Sequence, residues 1–285
     1  MDVKLLGTFK STLSKTNSQR FHIASVTLSV IQFGYTHPIK RKKMTYKPWL
    51  LLTCLACFYN AEVHANSSTT NTQLKQKVSQ AITKLEQTKR KSWSYQVSRY
   101  ENEEGDITSS IEQFMPFDKD KQQWALIRIN GESPTNKQSR KFAEKKQAQA
   151  QEREKGSNYS VKLREIIQQD SLQLTSESNS HMQMSFNVFL EKLGKDSVGK
   201  LQGSLTYNKE LAFIENITIV NNDEFSPMFS ANITDLTLTL TFININNTVL
   251  PHRQDMEMKG TFAYFTEIDE VSTDSYSNYQ YKGDQ

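Results

Sequence analysis

The chain has 285 residues and a formal net charge of +4. Nine of its 35 Lys/Arg but only two of its 31 Asp/Glu lie in residues 1–65, so the remaining part is slightly acidic. The basic balance of the full chain therefore gives no support for nucleic-acid binding. Both cysteines, Cys54 and Cys57, also lie in that first part. Residues 66–285 thus lack disulfides, thiol nucleophiles and cysteine metal ligands, and their length suits a single domain.

Residues 44–65, MTYKPWLLLTCLACFYNAEVHA, have the three parts of a secretory leader. Basic residues within 41–47 form a positive flank, Trp49–Tyr59 is an apolar run, and small or modest residues lead up to Ala65. We therefore expect cleavage between Ala65 and Asn66 and a periplasmic mature protein. The apolar run is shorter than the roughly 20 residues that span a bilayer. No integral membrane span is expected in the mature form.

Two alternatives for this stretch stay open, a buried helix segment and a lipoprotein leader acylated at Cys57. Cys54 is a poor residue three positions before an acylated cysteine, so a lipid-anchored form is not expected. Met44 is a natural start for the leader. Residues 1–43 are then an upstream extension outside the mature protein, and residues 66–73 are predicted to be a flexible N-terminus.

The folded domain is predicted over residues 74–271 and begins with a helix. One apolar stripe is formed by residues that recur at helical spacing: Leu74, Val78, Ala81, Ile82 and Leu85. Alternating apolar residues then predict a meander of three strands, which begin near residues 93, 107 and 123. Residues 136–156 are predicted to be a helical excursion too polar for the core, either a surface connection between strands or an arm that binds a partner.

The second half of the domain contains rows of alternating apolar residues. Apolar residues at every second position predict antiparallel strands with one face buried in the core and the other face exposed to solvent. We expect about eight to ten strands. A sheet of that size must curl or split into two, because twist accumulates from strand to strand. The predicted fold class is mainly β (α+β), a curved antiparallel sheet that forms an incomplete barrel with the N-terminal helix on its concave face. Residues 272–285 are predicted to be a polar, frayed tail.

The order of leader, first helix, long strands, helical excursion and further strands resembles the LolA/LolB superfamily of periplasmic lipoprotein carriers and its LppX-like relatives. Residues 114–135, FMPFDKDKQQWALIRINGESPT, and residues 200–219, KLQGSLTYNKELAFIENITI, with the following Phe225-Ser-Pro, are similar to uncharacterised exported relatives. The resemblance covers roughly residues 74–281. It implies a half-barrel whose apolar interior shields acyl chains from water. Met-Pro-Phe-Asp stands where those relatives have Phe-Asp-Pro, and no individual binding residue is carried over.

The resemblance and the alternation together predict a non-catalytic protein that binds a lipid or a lipoprotein acyl chain in the concave face. Methionines and aromatic rings tolerate acyl chains of variable shape. No cofactor and no metal are expected. The residues predicted to line the interior are Met182, Met184, Phe186, Phe213, Leu238, Leu240, Phe242, Phe262 and Tyr264.

The alternative function is an envelope scaffold or protein-interaction module. In that case the same side chains form a filled core, and the polar helix or an open strand edge contacts an envelope protein. An enzyme is not expected. Residues 66–285 contain two histidines, His181 and His252, each in a loop-like setting, and no Gly-x-Ser-x-Gly elbow or phosphate loop appears.

Overall fold

The computed structural model describes residues 62–116, 123–154, 162–190, 193–263 and 265–283, and of residues 62–70 and 152–154 it describes the backbone alone. The predicted extension 1–43 lies outside these ranges, as does most of the predicted leader. Cleavage between Ala65 and Asn66 stays a prediction. The helices are α1 (Glu62–Glu86), α2 (Asn136–Glu154) and α3 (Leu163–Ile166).

Eleven strands of the described residues form one antiparallel sheet. They are β1 (Trp93–Glu103), β2 (Asp106–Phe114), β3 (Trp124–Ile129), β4 (Gln173–Glu177), β5 (His181–Asn187), β6 (Leu201–Asn208), β7 (Phe213–Asn221), β8 (Phe225–Met228), β9 (Ala231–Ile245), β10 (Thr248–Phe262) and β11 (Thr266–Tyr281).

The order of strands across the sheet follows the chain with one long-range closure. It runs β3-β2-β1-β11-β10-β9-β7-β6-β5-β4, and β8 pairs with β9 beside this path. The last strand, β11, therefore lies between β1 and β10 and joins the two ends of the domain. The path ends at β3 and β4, which do not pair with each other within the described residues. The predicted incomplete barrel is confirmed.

The alternation of apolar and polar residues along the strands explains which face of the sheet is buried. On β9, Leu236, Leu238, Leu240 and Phe242 are buried, and the residues between them are half-buried or exposed. The outer face of β9 is rich in threonine, a β-branched residue that favours strands even where it is not buried. Helix α1 packs against β7 and β10 on the inner face and covers its centre, as predicted.

Three features of the structure differ from the sequence prediction. Residues 66–73, predicted to be flexible, are part of α1. The tail predicted from Ser272 is not frayed, because β11 continues to Tyr281 and pairs with β1 and β10. The third difference is the pair of short strands β4 and β8, which the pattern misses because β4 is exposed along its length and β8 has four residues.

Candidate functional site

The structure brings the predicted interior residues together in one apolar cluster on the concave face of the sheet. Seven of the nine are buried: Met182, Met184, Phe186, Phe213, Leu238, Leu240 and Phe242. Phe262 is partly buried and packs against the same cluster. Tyr264 lies outside the described residues. The eight described residues therefore share one face, and their burial does not test the prediction that they bind a ligand.

Helix α1 supplies the other side of this cluster. All five residues of its predicted stripe are buried against the sheet, and Val78 and Ile82 have no exposed surface. The short helix α3 and the turn that follows add Leu163, Ile166 and Leu172 to the same cluster. The concave face is thus apolar from β5 to β10, and α1 fills its centre.

The polar contacts that hold α1 in place lie at its solvent-facing side. Lys75 Nζ lies 2.9 Å from an Asp170 carboxylate oxygen that is fully exposed. Lys84 Nζ donates to the Asn247 side-chain oxygen at 2.7 Å in an exposed contact. Exposed ion pairs contribute about 0–1 kcal/mol each because water screens them. Helix α1 is therefore held mainly by its apolar stripe.

A second part of the same face, on β1, β2 and β11, carries charged groups. Arg99 Nε donates to Glu112 Oε1 at 3.0 Å, and Arg99 also pairs with Asp274 across the strands. Lys146 of α2 reaches the other oxygen of Glu112 at 2.7 Å. Glu112 and Asp274 are buried, and 16% of the Lys146 side chain is exposed. Two acids and two cations thus neutralise one another inside the sheet.

Burial and neighbouring charges shift the pKa values of this network in opposite directions. Burial raises the pKa of Asp274, and Arg99 only partly offsets it. Burial also opposes ionisation of Glu112, but Arg99 and Lys146 outweigh it and lower the pKa of that carboxyl. Burial, together with the charge of Arg99, lowers the pKa of Lys146. Burial of these charged groups is therefore costly, and their mutual attraction offsets part of that cost.

A small aromatic cluster lies beside this network. Tyr95, Phe114 and Trp124 pack with ring centroids 5.1–5.9 Å apart. The Lys146 ammonium lies 4.2 Å from the centroid of the Trp124 ring. The predicted helical excursion is thus confirmed as a helix, and one of its lysines is anchored on the sheet by a cation–π contact and an ion pair.

The alternation of apolar residues does not predict this charged network. Its signal is present, because Arg99, Glu112 and Asp274 share the parity of apolar neighbours such as Val97, Phe114 and Tyr276 on their own strands. A polar residue at a core-facing parity breaks the hydrophobic alternation, and the pattern then resembles an exposed strand.

His181 and two surface pockets lie outside the apolar cluster and the charged network. His181 Nε2 lies 3.0 Å from a Glu215 oxygen, in a surface pocket of about 400 Å³. A second surface pocket, of about 530 Å³, lies between the C-terminal end of α1 and Trp93. Neither pocket is lined by the predicted interior residues. Among the described residues, no group of three or more His, Cys, Asp or Glu is placed to hold a metal ion.

Comparison with known proteins identifies no family for the chain. No protein-family model and no curated protein match it. Among solved structures, it is similar to the crystal structure of a DUF1329 family protein from Desulfovibrio piger. The sequence identity is 10%, the match covers 76% of this chain and 94% of the other, and the TM-score is 0.33. A likeness at this level carries no argument about function, so the resemblance to the LolA/LolB superfamily stays a prediction.

No helix within the described ranges is both long and apolar enough to cross a bilayer.

Proposed function

We propose that this is an exported, non-catalytic protein that binds an acyl chain of a lipid or lipoprotein between α1 and the concave face of the sheet. The observation that supports the proposal most is the continuous apolar face on an unclosed sheet, covered at its centre by one helix. Apolar contacts are non-directional. An acyl chain can therefore replace the stripe of α1 without leaving unsatisfied polar groups behind.

The energies of the two occupants are comparable. The four large apolar side chains of the α1 stripe correspond to roughly 6–12 kcal/mol of burial, at about 1.5–3 kcal/mol each. A 16-carbon chain corresponds to about 12 kcal/mol at about 0.8 kcal/mol per methylene. One chain therefore roughly balances the helix stripe, and two chains on one lipid exceed it. We expect diacyl lipids to bind more tightly than single-chain lipids.

Native mass spectrometry of the purified protein after incubation with vesicles of dipalmitoyl phosphatidylglycerol tests the proposal. The expected result is an adduct of one lipid per chain, with weaker binding of the single-chain lysolipid. Absence of an adduct, or equal binding of both lipids, contradicts the proposal. N-terminal sequencing of the protein from its native envelope tests export separately, and the expected first residue is Asn66.

A second candidate function is the envelope interaction module, and one observation favours it. Phe229 and Phe265 are 95% and 86% exposed, and they lie on neighbouring turns because Ala263 N donates to Ser230 O at 2.7 Å. Exposed aromatic residues at adjacent turns are typical of contact surfaces. A photo-crosslinking residue at position 229 in cells tests it: a discrete protein adduct supports the interaction module, and its absence contradicts it.

A further inference from the structure

Two uncharged polar residues, Gln254 of β10 and Ser272 of β11, form a polar strip at the border of the apolar part of the concave face. On β10, Gln254 lies opposite Leu240 of β9 on one side and opposite Asp274 of β11 on the other. Two residues further along β10, Met256 lies opposite Ser272 in the same way. Since directly opposed residues point to the same face of a sheet, Gln254 and Ser272 lie where the apolar cluster ends and the charged network begins.

Two buried donors in this strip have no hydrogen-bond partner among the described residues. They are the Nε2 of Gln254 and the Oγ of Ser272. Gln254 is 7% exposed and Ser272 is 2% exposed. A buried polar group without a partner destabilises the fold that contains it. Asp274 and Arg99, by contrast, are engaged with each other.

The charges around the two donors restrict what they can bind. Ser272 has Glu270 and Asp274 two residues away on either side along the same face of β11, and both are buried. A free carboxylate or phosphate placed there would face two acidic side chains. A neutral acceptor, such as an ester carbonyl oxygen, satisfies the donors without that repulsion.

We infer that Gln254 and Ser272 form a subsite for the ester carbonyl groups of an acyl lipid, at the point where its chains leave the apolar cluster. The inference rests on the proposed function, and it specifies the ligand class. It favours ester-linked lipids over ether lipids of the same chain length, and over free fatty acids.

The test compares dipalmitoyl phosphatidylglycerol with its dihexadecyl ether analogue, which has the same headgroup and lacks both carbonyl oxygens. We expect the unmodified protein to bind the ester lipid roughly 5–150-fold more tightly, as two hydrogen bonds would produce. The double variant Gln254→Leu, Ser272→Ala should bind both lipids with equal affinity and leave the affinity for the ether lipid unchanged. The control, Gln183→Leu, alters an exposed glutamine of β5 and should keep the preference.

The outcomes separate the two proposals. Equal binding of ester and ether lipids by the unmodified protein overturns the subsite and leaves lipid binding intact. Binding of neither lipid overturns the proposed function, and the subsite with it. A preference for the ester lipid that survives in the double variant also overturns the subsite. The comparison on the unmodified protein needs no variant to fold.

Discussion

Substitution of Ile82 by alanine tests whether α1 and the ligand compete for the same face. Ile82 has no exposed surface and lies in the α1 stripe. The change removes three buried carbons and leaves a cavity, so the free energy of unfolding should fall by about 2–4 kcal/mol. Gln76 lies on the exposed side of the same helix, and the control Gln76→Ala should leave stability nearly unchanged.

The informative consequence concerns lipid affinity. If the ligand binds only where α1 has moved away, contacts of Ile82 with the sheet oppose binding. Weakening them by about 2 kcal/mol should raise the apparent affinity for dipalmitoyl phosphatidylglycerol by up to roughly 30-fold. Urea unfolding followed by tryptophan fluorescence gives the stability, and titration with the lipid gives the affinity. A less stable variant that binds the lipid more weakly, or with unchanged affinity, would refute the reasoning.

Three further predictions concern the charged network, the packing of the sheet and a buried tyrosine. Lys146→Met leaves Glu112 buried with one cation fewer, and should lower the free energy of unfolding by about 1.5–3 kcal/mol in urea titrations. Gly203→Ala should cost about 1–3 kcal/mol, because an added Cβ overlaps the ring of Phe186; thermal unfolding measures it. Burial raises the pKa of Tyr276 to about 12, so stability present below pH 10 should be lost as pH rises from 10 to 12, and Tyr276→Phe should reduce that loss.

Each of these has its own control. Lys145 is exposed on α2, and Lys145→Met should be nearly neutral; an equal loss at both lysines would show that the ion pair of Lys146 contributes nothing. Ser204, exposed next to Gly203, should tolerate alanine, and the additional change Phe186→Leu should recover part of the stability lost in Gly203→Ala. The same alkaline loss in Tyr276→Phe as in the unmodified protein would refute the shifted pKa.

The alternation of apolar residues predicts the concave face because apolar side chains recur at every second position in β5, β6, β7, β9 and β10. In β5 and β6 the apolar residues lie at one parity and the polar residues at the other, as Met182 and Met184 illustrate. Strands β7, β9 and β10 follow the same pattern over part of their length. Helix α1 is predictable for the same reason, since its stripe has to match that face. Fold class and apolar cluster therefore follow from the sequence.

The charged network and the full length of β11 could not be predicted in this way. The inward residues of β11 include Glu270, Ser272 and Asp274, so its alternation is polar on both faces and resembles a loop or tail. The buried Asp274 pairs with Arg99 of β1, which is 175 positions away in the chain. Such pairing is a tertiary property, and no local pattern records it.

The distance between α1 and the sheet tests the central claim most directly. Spin labels at Gln76→Cys on α1 and Val220→Cys on β7, in a protein of residues 66–285 that contains no other cysteine, report that distance by double electron–electron resonance. Saturation with dipalmitoyl phosphatidylglycerol should shift the distribution to longer distances, since the acyl chains take the place of the helix stripe. A distribution that stays unchanged while the lipid is bound would contradict the account.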